Sequence, residues 1–107
     1  MRTFMSRTLL LAAMMVCVPA QAADAPVWPV KPVRLVVSYA AGNVTDVLAR
    51  IITPALSERW KQTVLVDNRP GQGGSIGAQI VSKAQADGYT LLFSAVAAMA
   101  VNPHIYA

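Results

Sequence analysis

Two short stretches hold the residues whose types and spacing suit chemistry, and the chemistry they suit is the binding of a small anion. The first runs Tyr39-Ala40-Ala41-Gly42-Asn43-Val44-Thr45-Asp46. Its small residues open onto a helical pattern. The first N–H groups of a helix lack intrahelical partners, and the dipole there favours negative charge. A loop without bulky side chains lets a small carboxylate reach Gly42 and the N–H groups of Asn43 to Thr45. Asp46, in the first turn, either takes part in the site or complements the dipole. The second stretch, Arg69-Pro70-Gly71-Gln72-Gly73-Gly74-Ser75, is glycine-rich and also precedes a helical pattern. Its glycines serve a tight turn and a close ligand equally. Arg69 suits both a bidentate grip on a carboxylate and the anchoring of its own loop.

Other chemistries are poorly served. Ile76 stands where a dinucleotide fingerprint starting at Gly71 needs its third glycine, and no Gly-Lys-Ser/Thr is present for a P-loop. His104 is the sole histidine, and no Cys, Asp or Glu stands at metal-ligand spacing from it. Ser38, Ser75 and Ser94 lack a nucleophile-elbow context. No catalytic residue, cofactor or metal is expected.

The elements that must position these stretches alternate. Val33–Tyr39 is a near-continuous apolar run, as in a strand buried on both faces of a parallel sheet. A helix follows over about Val44–Trp60, with Val47, Leu48, Ile51, Ile52, Ala55 and Leu56 as its apolar stripe. Asn43 is placed to cap it, Asp46 lies at capping-box distance, and Pro54 is expected to kink it. A second strand is predicted over Thr63–Asp67, a second helix over about Ser75–Gln85 and a third strand over Tyr89–Ser94. The alanine-rich tail is interrupted at Asn102-Pro103. Right-handed crossovers make this β-α-β-α-β order a parallel α/β sheet in strand order 2-1-3. Ligands of such sheets sit at the C-terminal strand ends.

The N-terminal stretch has a different purpose. Arg2 and Arg7 precede the apolar run Leu9–Val18, which is shorter than the ~20 residues of a spanning helix. Ala20-Gln21-Ala22 is a small-x-small site, so residues 1–22 read as a secretory signal peptide cut after Ala22. Val16 before Cys17 is not small, which argues against a lipid anchor. No membrane insertion is expected after cleavage. The remaining Ala23–Ala107 has no cysteine, and three prolines around Trp28 make its lead-in extended, with Trp28 free to pack on the body. The chain carries a net charge of +4 without a run of like charge, so nucleic acid is not an expected partner. The mature length encloses one modest core and is short for a doubly covered sheet.

Trp28-Pro29 with Lys31-Pro32, Ala41-Gly42 with Thr45-Asp46, and the Asp67-Asn68-Arg69-Pro70-Gly71-Gln72-Gly73-Gly74 loop with Ile76-Gly77 resemble a known family. So do Asp87-Gly88-Tyr89-Thr90-Leu91-Leu92 and Asn102-Pro103 with Tyr106. The family is that of the solute-binding receptors of tripartite tricarboxylate transporters, the Bug-type or TctC-like proteins. The resemblance implies a periplasmic-binding-protein type II fold, two α/β lobes hinged around a cleft, of which residues 23–107 form the N-terminal part of the first lobe with the remainder absent. It implies a periplasmic receptor, not an enzyme, that captures small carboxylates for the membrane components of the transporter.

Ligand contacts carried over by position are Tyr39, Ala41, Gly42, Asn43, Thr45 and Asp46 from the first loop. Gly73, Gly74 and Ser75 come from the second, and Ser94 and Ala95 from a third that runs from Ser94 to Ala97. Two positions depart from the family pattern: Ser38 stands where proline is usual, and Asn43 where a second glycine is usual. Two other readings stay open at this level, an α/β enzyme with an anion-binding loop and a nonfunctional truncated product.

Overall fold

A computed structural model describes residues 26–105. The signal peptide and its cleavage site lie outside these residues. Three parallel strands form one sheet: β1 (Val33–Val37) is central, with β2 (Val64–Asn68) on one side and β3 (Thr90–Phe93) on the other. The order β2-β1-β3 is the one expected. Each outer strand keeps one edge unpaired among the described residues.

The strands are slightly shorter than their apolar runs, because the chain leaves the ladder at functional loops. Ser38 N–H still reaches Phe93 O at 3.3 Å, and Arg69 N–H reaches Val37 O at 2.7 Å. Val33, Leu35, Val36 and Val37 are buried, so both faces of β1 are covered, as its unalternating sequence requires. Leu35, Val37, Ala49 and Val64 make one core cluster, with Leu56, Trp60, Val66, Leu91 and Phe93 packed against it.

Helix α1 (Val44–Trp60) covers this face, but of the expected stripe only Leu56 packs against the core cluster. Val47 is 47% exposed, Leu48 48% and Ile51 65%. The residues that meet the sheet are Asp46, Ala49 and Thr53, continued by Leu56 and Trp60. These recur at helical spacing, as a buried face must. The helix lies close over the strands, where only small side chains fit beneath its first turns, and the larger aliphatics stand to the side. Pro54 does not end the helix; it sits on the exposed side, where the carbonyl it leaves unpaired meets water.

Helix α2 (Ser75–Ser82) lies at the end of β1 and stops before the expected Gln85. Gly77 is buried, and a Cβ there would stand 2.7 Å from Ser38 Cβ. After β3 the chain makes a π-helical turn, Ala97–Val101, that runs directly into the short α3 (Asn102–Ile105). Asn102-Pro103 therefore does not interrupt the helical path. Pro103 lies inside this path, directly after the π-type bond from Asn102 N–H to Ala97 O. Trp28 packs on the body as expected, edge-on to Trp60 with ring centroids 5.1 Å apart and tilted on Tyr89 at 6.0 Å.

Candidate functional site

The three loops that leave β1, β2 and β3 emerge at one edge of the sheet, and side chains tie each to its neighbours. In the first loop Gly42 has φ +85, a conformation that suits glycine, with open space where a side chain would project. Ala41, Gly42 and Asn43 are exposed. Asn43 caps α1 as expected, its Oδ1 accepting from Thr45 N–H at 3.1 Å.

Asp46 behaves differently from a capping-box acid. Its side chain is 3% exposed. It accepts from Gly42 N–H at 2.9 Å, one residue before the cap, from Arg50 Nε at 3.0 and 3.1 Å, and from Asn68 Nδ2 at 2.9 Å. The Gly42 N–H, then Arg50 and Asn68, hold its carboxyl down at about 2. Asn68 Nδ2 also donates to Tyr39 O at 3.1 Å. Asp46 and Asn68 thus knot the start of α1, the first loop and the end of β2.

This corrects one expectation about the anion cradle. Gly42 N–H is taken by Asp46, Asn43 N–H by Ala40 O at 3.2 Å, and Thr45 N–H by Asn43. The asparagine side chain takes the Thr45 N–H, and in this stretch the Val44 N–H is left without a partner among the described residues. The Thr45 hydroxyl, by contrast, has no partner among the described residues.

In the second loop four successive residues have positive φ: Gly71 (133), Gln72 (46), Gly73 (59) and Gly74 (97). Gly74 is buried; a Cβ there would stand 2.9 Å from Ala98 Cβ, 3.1 Å from Ser38 Oγ and 3.2 Å from Tyr39 Oη. All three loops meet at this point, and a bulkier residue would force them apart. Gly74 N–H donates to Gly71 O at 3.0 Å and Ser75 N–H to Gln72 O, both inside the turn. Arg69 does not reach toward the loops' open side. Its Nε donates to Asp67 at 3.0 and 3.1 Å, and Arg34 donates to the same carboxylate. Burial pushes the Asp67 carboxyl up, but the bonds from Arg34 and Arg69 outweigh it and hold it below the usual range.

Tyr39 Oη donates to Gly73 O at 3.1 Å, joining the first loop to the second. The Ser38 and Ser94 hydroxyls share a hydrogen bond that joins the first to the third, while Ala95 is exposed. Asn102 joins the third to the second through Gln72, Gly73 and Ser75. A groove of about 320 Å³ opens between α2 and the Ala98–Pro103 stretch, lined by Gln72, Ser75, Gln79 and Asn102 among others. Tyr39, Gly73 and Gly74 are thus brought into contact, while the bond given for Thr45 is within the first loop, to Asn43.

Sequence reasoning missed Asn68, Arg50, Ser38 and Asn102 as parts of the site. Asn68 and Asn102 each had a signal, in the family motifs that contain them. Among the described residues no group of acidic, histidine or cysteine side chains could hold a metal, and no helix is long and apolar enough to cross a membrane.

Comparison with known proteins agrees with this architecture. The model of the tripartite tricarboxylate transporter family receptor matches residues 48–107. A UPF0065 protein of Bordetella bronchiseptica is 46% identical over 99 residues, which is 92% of this chain and 30% of that protein. The structure of Rpa4515 of R. palustris with adipate superimposes with a TM-score of 0.59 at 48% identity, over 61% of this chain and 22% of that one. MatC of Rhodopseudomonas palustris with bound malate gives a TM-score of 0.59 at 38% identity, again over 61% and 22%. The chain thus spans about 30% of the length of the first curated relatives it matches. A family match over more than half of the chain, together with these likenesses, means that the chain belongs to the tripartite tricarboxylate transporter receptor family.

Proposed function

We propose that this chain supplies part of one wall of the ligand cleft in a periplasmic receptor that captures a short-chain dicarboxylate and presents it to the membrane components of a tripartite transporter. On this reading residues 1–22 direct export, residues 23–107 are the N-terminal part of the first lobe, and the protein performs no catalysis. The observation that carries the proposal is the convergence of three strand-end loops at one edge of a parallel sheet, the place where such folds take ligands. The relatives solved with adipate and with malate support the ligand class, since both ligands carry two carboxylates.

The carboxylate-facing groups are the Thr45 hydroxyl, the Ser75 hydroxyl and the exposed backbone around Ala41, Gly42 and Asn43, with Ser94 and Ala95 on the third loop. Tyr39, Asp46, Gly73 and Gly74 act by holding the loops in shape. With so many loop N–H groups already engaged, hydroxyls and bridging water carry more of the contact than bare amides.

The test is a chimera in which residues 26–105 replace the matching segment of the adipate-bound relative, titrated calorimetrically with adipate, malate and a neutral diester. Binding of a dicarboxylate but not of the diester is the expected result, with Thr45→Val weakening it by about tenfold, the cost of one hydrogen bond to a charged group. A chimera that melts like its parent yet binds neither acid would overturn the reading.

A further inference from the structure

We propose that Asn102 is the positioning residue of the second loop: its buried amide covers the carbonyl oxygens of Gln72 and Gly73 and turns the Ser75 hydroxyl outward as a donor, so that this loop offers an anion only hydrogen-bond donors. The inference rests on the dicarboxylate reading above and adds a residue that touches no ligand.

The loop from Gly71 to Gly74 makes one irregular 3-10 turn, Gln72–Gly74, with positive φ at all four residues. Inside the turn Gly71 O and Gln72 O accept from the Gly74 and Ser75 N–H groups, so the second lone pair of Gln72 O and the carbonyl of Gly73 are left for partners from elsewhere. Asn102, 7% exposed, supplies them from 29 and 30 residues further along the chain. Its Nδ2 lies 3.0 Å from Gln72 O, 2.9 Å from Gly73 O and 2.9 Å from Ser75 Oγ. An amide nitrogen carries two hydrogens and accepts nothing, so the three atoms facing it all act as acceptors and one hydrogen is shared. Two backbone carbonyls fix which end of the amide faces the loop, because its oxygen would be repelled there.

Two consequences follow for an anion. Gly73 O receives a second donor from Tyr39 Oη at 3.1 Å, so both of its lone pairs are engaged. The loop's negative dipole ends are thereby turned inward and neutralised. Ser75 Oγ accepts from Asn102, which leaves its own hydrogen to be donated outward. The fit is close: a Cβ on Gly73 would stand 3.1 Å from Asn102 Nδ2, so a glycine at that position admits the amide.

The experiment uses the chimera described above. Asn102→Asp keeps the size but replaces the donor with an acceptor that repels both carbonyls and draws the Ser75 hydrogen inward. It is expected to weaken adipate or malate binding by more than about tenfold. Asn102→Ala is expected to weaken it several-fold, and Asn102→Ser, which keeps one donor, to recover part of the loss. Because the residue acts through Ser75, the Asn102→Ala effect should shrink when Ser75→Ala is already present.

Hydrogen exchange on the unliganded protein gives a second readout, with faster exchange expected at the Gly74 and Ser75 amides in Asn102→Ala. A chimera that binds dicarboxylate while Asn102→Asp and Asn102→Ala bind equally well overturns this inference and leaves the receptor reading intact. A loss that is the same with and without Ser75 also overturns it, since Asn102 would then be a fold-holding residue only. Failure of the unsubstituted chimera to bind is the separate failure of the receptor reading. Should Asn102→Asp not fold, the Ala and Ser variants with the Ser75 cycle decide alone.

Discussion

The hydroxyl of Tyr39 donates to the carbonyl of Gly73 at 3.1 Å across 34 residues of sequence, and this bond joins the loop that follows β1 to the loop that follows β2. Removing it with Tyr39→Phe leaves the ring in place and the carbonyl short of one donor. The expected cost is about 1 kcal/mol of unfolding free energy. Urea denaturation of the two proteins checks it, and an unchanged midpoint would mean that water replaces the hydroxyl without loss.

The acid limb of stability should carry the signature of Asp46. Its carboxyl titrates at about 2 in the folded chain against 3.8 for a free aspartate side chain. Between those values the unfolded chain binds the extra proton, so stability falls as pH drops through this window and is fully present above it. Asp46→Asn should melt several degrees lower at neutral pH and lose less on acidification. The comparison between the two proteins is the measure, because Asp67 is shifted in the same direction. Parallel melting curves from pH 5 to about 2 would show that the knot at Gly42, Arg50 and Asn68 does not depend on the charge.

Gly77→Ala tests how closely α2 approaches β1. Alanine is the better helix former by about 1 kcal/mol. The added Cβ, however, meets Ser38 Cβ at 2.7 Å, Ser38 Cα at 2.8 Å and Arg69 O at 3.1 Å, and backbone cannot swing aside as a side-chain tip can. A net loss of about 1–3 kcal/mol is expected. Gly42→Ala is the contrast, since nothing lies within 4 Å of its Cβ and only the positive φ opposes it. It should cost about 1 kcal/mol. Equal stabilities for the two variants would contradict the packing described here.

Trp28→Ala should loosen the start of the described chain. The indole rests on Trp60 and Tyr89, Tyr89 Oη accepts from Val30 N–H at 2.9 Å, and Lys31 Nζ lies 4.5 Å from the Tyr89 ring centroid. With the tryptophan 41% exposed, a loss of about 1–2 kcal/mol is expected, together with a weaker near-ultraviolet circular dichroism signal. A variant with unchanged stability and spectrum would place Trp28 off the body in solution.

Much of the fold was legible because its signals are local. A β-branched run, a small-residue loop and a helical period each declare themselves within about ten residues, and parallel order follows from the crossovers. The face of α1 was not legible. Val47, Leu48 and Ile51 form the stronger apolar stripe, but Ala49 and Thr53 meet the sheet, and a period cannot say how close a helix will lie. Asp46 was readable as a capping acid, but its bond to Gly42 rather than Asn43 depends on the φ that Gly42 adopts. The Arg69 pairing was within reach, since Asp67 stands two residues before it. Asn102 was not, because its partners lie some thirty residues earlier and the Asn-Pro pair reads locally as a breaker.

The central position of β1 has a further consequence, in time. Among the described strands, the one that ends in the middle of the sheet is the first to be synthesised, and its second neighbour, β3, is the last. Val33, Val36 and Val37 thus cannot acquire their final surroundings until the polypeptide as far as Phe93 is available. Each pairing must first close a long loop before contact energy rewards it, which makes assembly late and slow relative to the local helices. Until then the strand that ends most deeply buried among the described three is the oldest of them and the least protected.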